Sequence, residues 1–207
     1  MRKEIWIFGL LLLVLSFIFD SRILNFVNLL KTDFFVEFFK IVSYSWMIAL
    51  GIYLFVLVKS KKKSVILLVI ATILTYLISV GLKFLIMRER PEGGVLSEGS
   101  YSFVAAVLNS LSGSITGQET NFWSFGDKYG FPSIHASLAF SAVAFMNREF
   151  PNLKWVFVLI ASMVAFSRLY LGVHYTSDLV AGGFLGFGIG LVILEWKKVK
   201  AKIKSLI

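Results

Sequence analysis

The chain is 207 residues long, 57% of them hydrophobic, with a mean hydropathy of +0.82. That share exceeds the roughly 45–50% of ordinary soluble domains and excludes a soluble reading, while the absence of cysteine excludes disulfides and thiol chemistry. A net charge of +9 would suit a nucleic-acid partner in a soluble protein, but most of the positive charge clusters at the ends of apolar segments, so membrane topology accounts for it instead.

Six apolar segments follow in chain order, at about 4–20, 34–58, 64–87, 133–147, 153–172 and 176–196. The N-terminus, MRKEIWIFGLLLLVLSFIFDSR, has the basic start and apolar core of a signal peptide but no small-residue cleavage site, so it reads as an uncleaved first membrane helix. SRILNFVNLLKTD, Ser21 to Asp33, repeats its apolar residues at helical spacing and is expected to lie along the interface. Phe150-Pro151 makes a tight turn between the fourth and fifth segments. Residues 88–132 form one long, glycine-containing stretch between spans and are expected to be a functional outer loop. The fold class expected is all-α: a polytopic membrane protein, with a six-transmembrane-helix bundle, an interfacial helix and one long outer loop, in a single domain covering 1–207.

Basic residues orient this bundle. Arg2 and Lys3, the lysines of KSKKKS, Arg148 and Lys154, and the C-terminal lysines together hold 13 of the 21 Lys and Arg. Six spans put all four clusters on one side, which the positive-inside rule makes cytoplasmic. The expectation is an integral protein of the plasma (inner) membrane with cytoplasmic termini and a site facing the periplasm or outside.

The polar residues converge on that outer face. KFLIMRERP ends the third segment and places Lys83 and Arg90 two helical turns apart, near one face. FPSIHAS opens the fourth and offers Ser133 and His135 at a helix N-terminus. SRLYLGVHYTSD joins the last two and supplies Arg168, His174 and Asp178. Three cations, a hydroxyl and a helix N-terminus suit a multiply charged tetrahedral anion, that is, phosphate. Two histidines beside it offer a nucleophile and a proton donor, and Asp178, four residues after His174, can fix the ring tautomer. A metal set is not expected, because both histidines and the carboxylate already have other roles. Arg88 and Glu89 read as a solvated helix end, and Asp20, Glu37 and Lys40 as interfacial pairs. Gly182, Gly186 and Gly190 follow a small-xxx-small pattern suited to packing inside the bundle.

KFLIMRERP, PSIH and SRLYLGVHYTSD resemble the three signature motifs of the type 2 phosphatidic acid phosphatase superfamily, K-x6-R-P, P-S-G-H and S-R-x5-H-x3-D, across about residues 64–196. The resemblance implies a metal-independent membrane lipid phosphatase. It implies catalytic roles for His174 as the nucleophile that becomes phosphohistidine, Asp178 as its orienting partner and His135 as proton donor and then base. It implies phosphate binding by Lys83, Arg90, Ser133 and Arg168. Ile134 stands where the family pattern has glycine, so either the backbone there is an ordinary helix start or the pocket is reshaped. The expected partners are membrane lipids and a lipid phosphate or diphosphate substrate, with no nucleic acid, no metal and no cofactor, and the oligomeric state is left open. Undecaprenyl diphosphate, phosphatidylglycerophosphate, lipid A 1-phosphate and phosphatidate are the candidate substrates. A lipid-to-lipid phosphotransferase of the same fold is the alternative, ahead of a non-catalytic transporter.

Overall fold

The computed structural model describes residues 3–44, 51, 64–92, 94 and 128–196. Among them helix is the dominant structure: α1 (Lys3–Leu29), α2 (residues 33–44), α3 (Ser64–Ile86), α4 (Ile134–Glu149), a 3-10 turn (Pro151–Leu153), α5 (Lys154–Tyr170) and α6 (Thr176–Leu194). The extended backbone pairs once, in an isolated antiparallel bridge between Glu89 and Tyr129. Among the described residues, four helical stretches are long and apolar enough to cross a bilayer: Ile7–Leu29, Val65–Ile86, Pro151–Tyr170 and Thr176–Leu194. Most of the second expected span, and most of the outer loop, lie outside the described residues.

Helix α4 is different in kind. Its 16 residues reach only about 24 Å at 1.5 Å per residue, short of a hydrocarbon core of about 30 Å. It is built from small side chains, and Ala136, Ser137, Ala139, Ser141, Ala142, Val143, Ala144 and Phe145 are all buried. Helix α6 meets it along a glycine stripe. A Cβ on Gly182, Gly186 or Gly190 would stand 2.6, 1.8 and 2.8 Å from the carbonyl oxygens of Ser133, Ser137 and Ser141 respectively. Both sets repeat every four residues, so the backbones touch along the contact, and the glycines serve packing inside the bundle. The outer helices face the other way: Ile7 and Phe8 of α1, Ile73 and Leu77 of α3 and Leu159 of α5 are each more than half exposed, as lipid-facing side chains should be.

The first segment departs from expectation. Rather than spanning to residue 20 and then lying on the interface, α1 continues unbroken to Leu29. No glycine or proline interrupts residues 20–29, and Leu24 and Val27 bury against Ala136, Leu169 and Leu179, which holds this part of the helix on the bundle. The turn after it is pinned by Tyr170, whose hydroxyl donates to Leu30 O at 2.7 Å and accepts from Thr32 N at 3.1 Å. The Phe150-Pro151 turn forms as expected: Phe150 leaves helical geometry and its N–H closes on Met146 O at 2.8 Å.

Candidate active site

Every expected site residue lies at one end of these helices. Lys83 sits in the last turn of α3, buried, and donates through Nζ to Tyr129 O at 2.6 Å. Arg90 arrives differently from the expectation of a shared helix face. Helix α3 stops at Ile86, Met87 takes a left-handed φ of 49°, and Arg90 follows in extended backbone. Its N–H donates to Lys128 O at 3.2 Å, and its Nη1 stands 3.5 Å from Val173 O, beside His174. Arg168, in the last turn of α5, is 3% exposed and donates from Nη1 to Ser43 Oγ of α2 at 2.6 Å.

Ser133 precedes the first residue of α4 in extended geometry, the position where a serine side chain ordinarily accepts a backbone N–H. Here it makes no such cap. Its N–H is anchored on Asp178 O at 3.0 Å, and its hydroxyl is fully buried with no hydrogen-bond partner. A buried hydroxyl left unpaired costs about 1–3 kcal/mol, and this one keeps an unused hydrogen bond. Ile134 starts α4 as ordinary helix without positive φ, which decides between the two readings of that position: the absent glycine leaves the backbone path unstrained.

His174 lies in the short connection between α5 and α6 and is 2% exposed. Its Nδ1 is 3.3 Å from Asp178 Oδ2, leaving Nε2 as the second ring nitrogen. Burial holds its pKa well below the ordinary histidine value, and the positive charges of Arg90, Lys83 and Arg168, with His135, push the same way. The same three cations act electrostatically on His135, one residue into α4. Two histidines and three cations therefore share one pocket. At neutral pH His174 is an uncharged imidazole, the form that can attack or accept a proton.

Asp178 combines two jobs. As the third residue of α6 it accepts the Tyr175 N–H at 2.9 Å, a helix cap, and the same Oδ2 faces the histidine ring. Gly130 permits the approach of the opposite chain, since a Cβ there would stand 2.8 Å from Asp178 Oδ2.

Three residues next to this site escaped the sequence reading. Arg88 is no solvated helix end: it pairs with Asp178 Oδ1 at 2.9 Å and with Asp20 Oδ2 at 2.8 Å. Asp20 is 4% exposed rather than interfacial, and it also accepts from the Ser177 N–H at 2.8 Å and from the Ser177 hydroxyl. Ser43, which holds Arg168, carried no signal beyond being a serine. Asp20 did carry one, as a lone carboxylate after an apolar run, where an unpaired charge would be costly. Lys40 pairs with Glu37 at 2.6 Å near the surface, as expected, whereas Glu89 is solvated but not at a helix end: it lies beyond α3, bridges to Tyr129 and pairs with the exposed Lys128 at 3.1 Å.

Among the described residues, bilayer-length helices form the bundle, and two histidines and three cations lie together at one end of it, as befits a membrane protein. The chain belongs to the PAP2 superfamily, whose family model matches residues 64–202. It is 29% identical to the undecaprenyl-diphosphatase of Sulfolobus acidocaldarius over 99% of this chain and 100% of that one. It is 38% identical to the lipid A 4'-phosphatase of Bacteroides thetaiotaomicron over 39% of this chain, and the match spans only 37% of that relative's length. The fold is similar to that of the crystallised transmembrane PAP2-type phosphatidylglycerolphosphate phosphatase from Bacillus subtilis, with a TM-score of 0.66 at 19% identity over 95% of both chains.

Proposed function

We propose that this protein is a metal-independent lipid phosphate or diphosphate phosphatase acting through a phosphohistidine. One observation carries the reading: His174 and His135 share a buried pocket with Lys83, Arg90 and Arg168, beside an unpartnered Ser133 hydroxyl. The cations and the hydroxyl bind the phosphoryl oxygens. His174, with Nδ1–H directed at Asp178, attacks phosphorus through Nε2 while the P–O bond to the leaving group breaks. His135 gives the leaving oxygen its proton. It then takes one from water, whose oxygen attacks the phosphohistidine, releases inorganic phosphate and restores His174. The full-length similarity to an undecaprenyl-diphosphatase makes a polyprenyl diphosphate the first substrate to test.

In the same reading the chain has six spans, the short α4 crossing inside the ring of its neighbours rather than against lipid, with the pocket at the outer surface and both termini in the cytoplasm. Thirteen of 21 basic residues lie in four clusters that six spans gather on the opposite side. A cysteine at Ser97 should react with an impermeant maleimide in intact cells, and one at Ser60 only after lysis; the reverse pattern overturns the orientation. The chemistry is tested by phosphate release from purified protein across polyprenyl diphosphate, phosphatidylglycerophosphate, lipid A 1-phosphate and phosphatidate. His174→Ala should abolish release and His135→Ala should lower it by about 10²–10⁴-fold, with chelator having no effect. Full activity in His174→Ala, or loss in chelator that Mg²⁺ restores, overturns the reading.

A further inference from the structure

Behind the proposed catalytic pair lies a second buried charge cluster that the chemistry above does not use. Arg88 stands between two carboxylates contributed by helices far apart in sequence, Asp20 of α1 and Asp178 of α6. Its Nη1 donates to Asp178 Oδ1 and to the Ser177 hydroxyl, and its Nη2 to Asp20 Oδ2. Asp20 closes the ring by accepting both the N–H and the hydroxyl of Ser177. Aromatic rings flank the guanidinium: its carbon is 4.5 Å from the centroid of Tyr175 and 5.1 Å from that of Phe17. The backbone is fixed too, since Met87 turns the chain at φ 49° and Gly130 N–H donates to Arg88 O at 2.8 Å. A planar, forked cation held by aromatic faces is a role that arginine fills and lysine does not.

The geometry of Asp178 shows what this fork accomplishes. One carboxylate oxygen, Oδ2, is occupied by Tyr175 N–H and His174 Nδ1; the other, Oδ1, by Arg88. Asp178 is fully buried, and a carboxylate there keeps its charge only if paired. Without the charge it holds the histidine N–H more weakly and cannot balance an imidazolium, and without a fixed plane it cannot aim at the ring. A lone arginine would balance Asp178 completely, leaving a neutral pair. The Asp20 carboxylate shares the guanidinium, so Arg88 does not spend its whole charge on Asp178.

We propose that Arg88 and Asp20 are positioning residues that act on the reaction through Asp178, making α1 part of the catalytic apparatus. This rests on the phosphohistidine reading of the site. The test is a kinetic double-mutant comparison in purified protein, with a radiolabelled polyprenyl diphosphate as substrate and thermal unfolding in detergent measured alongside. Arg88→Gln and Asp20→Asn should each lower kcat by about 10–100-fold, the usual cost of losing a group that orients a reactive one, with KM held within about twofold. In an Asp178→Asn background neither change should lower kcat further, because the residue through which they act is already disabled. A rise in KM with kcat preserved would make Arg88 a substrate ligand and overturn the proposal. Losses that multiply in the Asp178→Asn background would reduce the cluster to a staple between helices and overturn it equally. Should Arg88→Gln fail to fold, the isosteric Asp20→Asn carries the same comparison. His174→Ala separates the two levels: an active His174→Ala sinks the phosphohistidine reading, whereas an inactive one with additive losses sinks only the role of Arg88 and Asp20.

Discussion

Helices α3 and α4 pack side by side through Leu68, Ala71, Ala144 and Phe145, yet they solve opposite problems. Helix α3 is apolar around nearly its whole circumference and shows Ile66, Ile73 and Leu77 outward. Helix α4 is shorter, less apolar and enclosed, with serines and alanines against its neighbours. Hydropathy in a membrane protein measures exposure to lipid, so it is strongest where the chain does least chemistry. The helix that follows Ser133 and carries His135 in its first turn is not among the long apolar helices. Its stability comes from close backbone approach instead, and that difference can be tested directly.

The largest joint loss of stability and activity is expected at the α4–α6 contact. A methyl on Gly186 would stand 1.8 Å from Ser137 O, and backbone, unlike a flexible side chain, has no rotamer to retreat into. Gly186→Ala must therefore push the two helices apart, and overpacking of this kind costs about 1–3 kcal/mol or more. Since Ser133 is anchored on Asp178 across the same interface, activity should fall along with thermal stability. Wild-type unfolding temperature and wild-type rate in Gly186→Ala would show that the contact is looser than described and that small residues are not what holds α4 in place.

The same contrast explains what the sequence disclosed. The residues of the three motifs were legible because the chemistry demands particular side chains at fixed spacings, and His174 with Asp178 needs only one local turn of chain. The glycine stripe was legible for a similar reason, as a period-four pattern on one helix. Arg88 was not, although it lies inside the first motif, because its meaning depends on Asp20, brought to it by α1 packing against the bundle. Arg90 does not share the helix of Lys83, and Pro91 after it is the sequence marker, since the residue before proline is pushed out of helical geometry; that α3 stops as early as Ile86 has no such marker, because Met87 is not a residue that favours positive φ. The interfacial reading of residues 21–29 failed similarly. Apolar residues at helical spacing suit a membrane surface and a neighbouring helix alike, and only Leu24 and Val27 finding Leu169 and Leu179 distinguishes them.

A smaller effect concerns the charge state of the pocket. Burial and the neighbouring cations hold His174 below its ordinary value, so in the substrate-free enzyme it stays neutral as pH falls through 6.5. The chain has two histidines, which makes the measurement direct. Carbon-13 histidine labelling, with His135→Gln to assign the signals, should show the His174 resonance unchanged from pH 8 to below 6.5. Inorganic phosphate or vanadate in the pocket should move its titration upward, because an anion there offsets the three cations. A midpoint at or above 6.5 without ligand would mean that the cations do not converge on His174.

The smallest effect is expected on the outward face of α3, and it bears on the comparison as sharply as the largest. Ile73 and Leu77 lie one turn apart and are 53% and 58% exposed, so each touches lipid more than protein. Truncation in a packed interior leaves a cavity and typically costs 2–5 kcal/mol for Leu or Ile to Ala. Lipid chains flow into the space left by a surface truncation, so that cavity penalty disappears. Ile73→Ala and Leu77→Ala should therefore keep wild-type turnover and unfolding temperature. Phe145→Ala in α4, buried at 0% exposure, should lose stability on the interior scale. The decisive quantity is the difference between the faces. Equal losses at Leu77 and Phe145 would mean that the outer face of α3 is covered by protein in the membrane, by another copy of the chain or by another subunit, and that its apolar surface marks an interface rather than the lipid boundary.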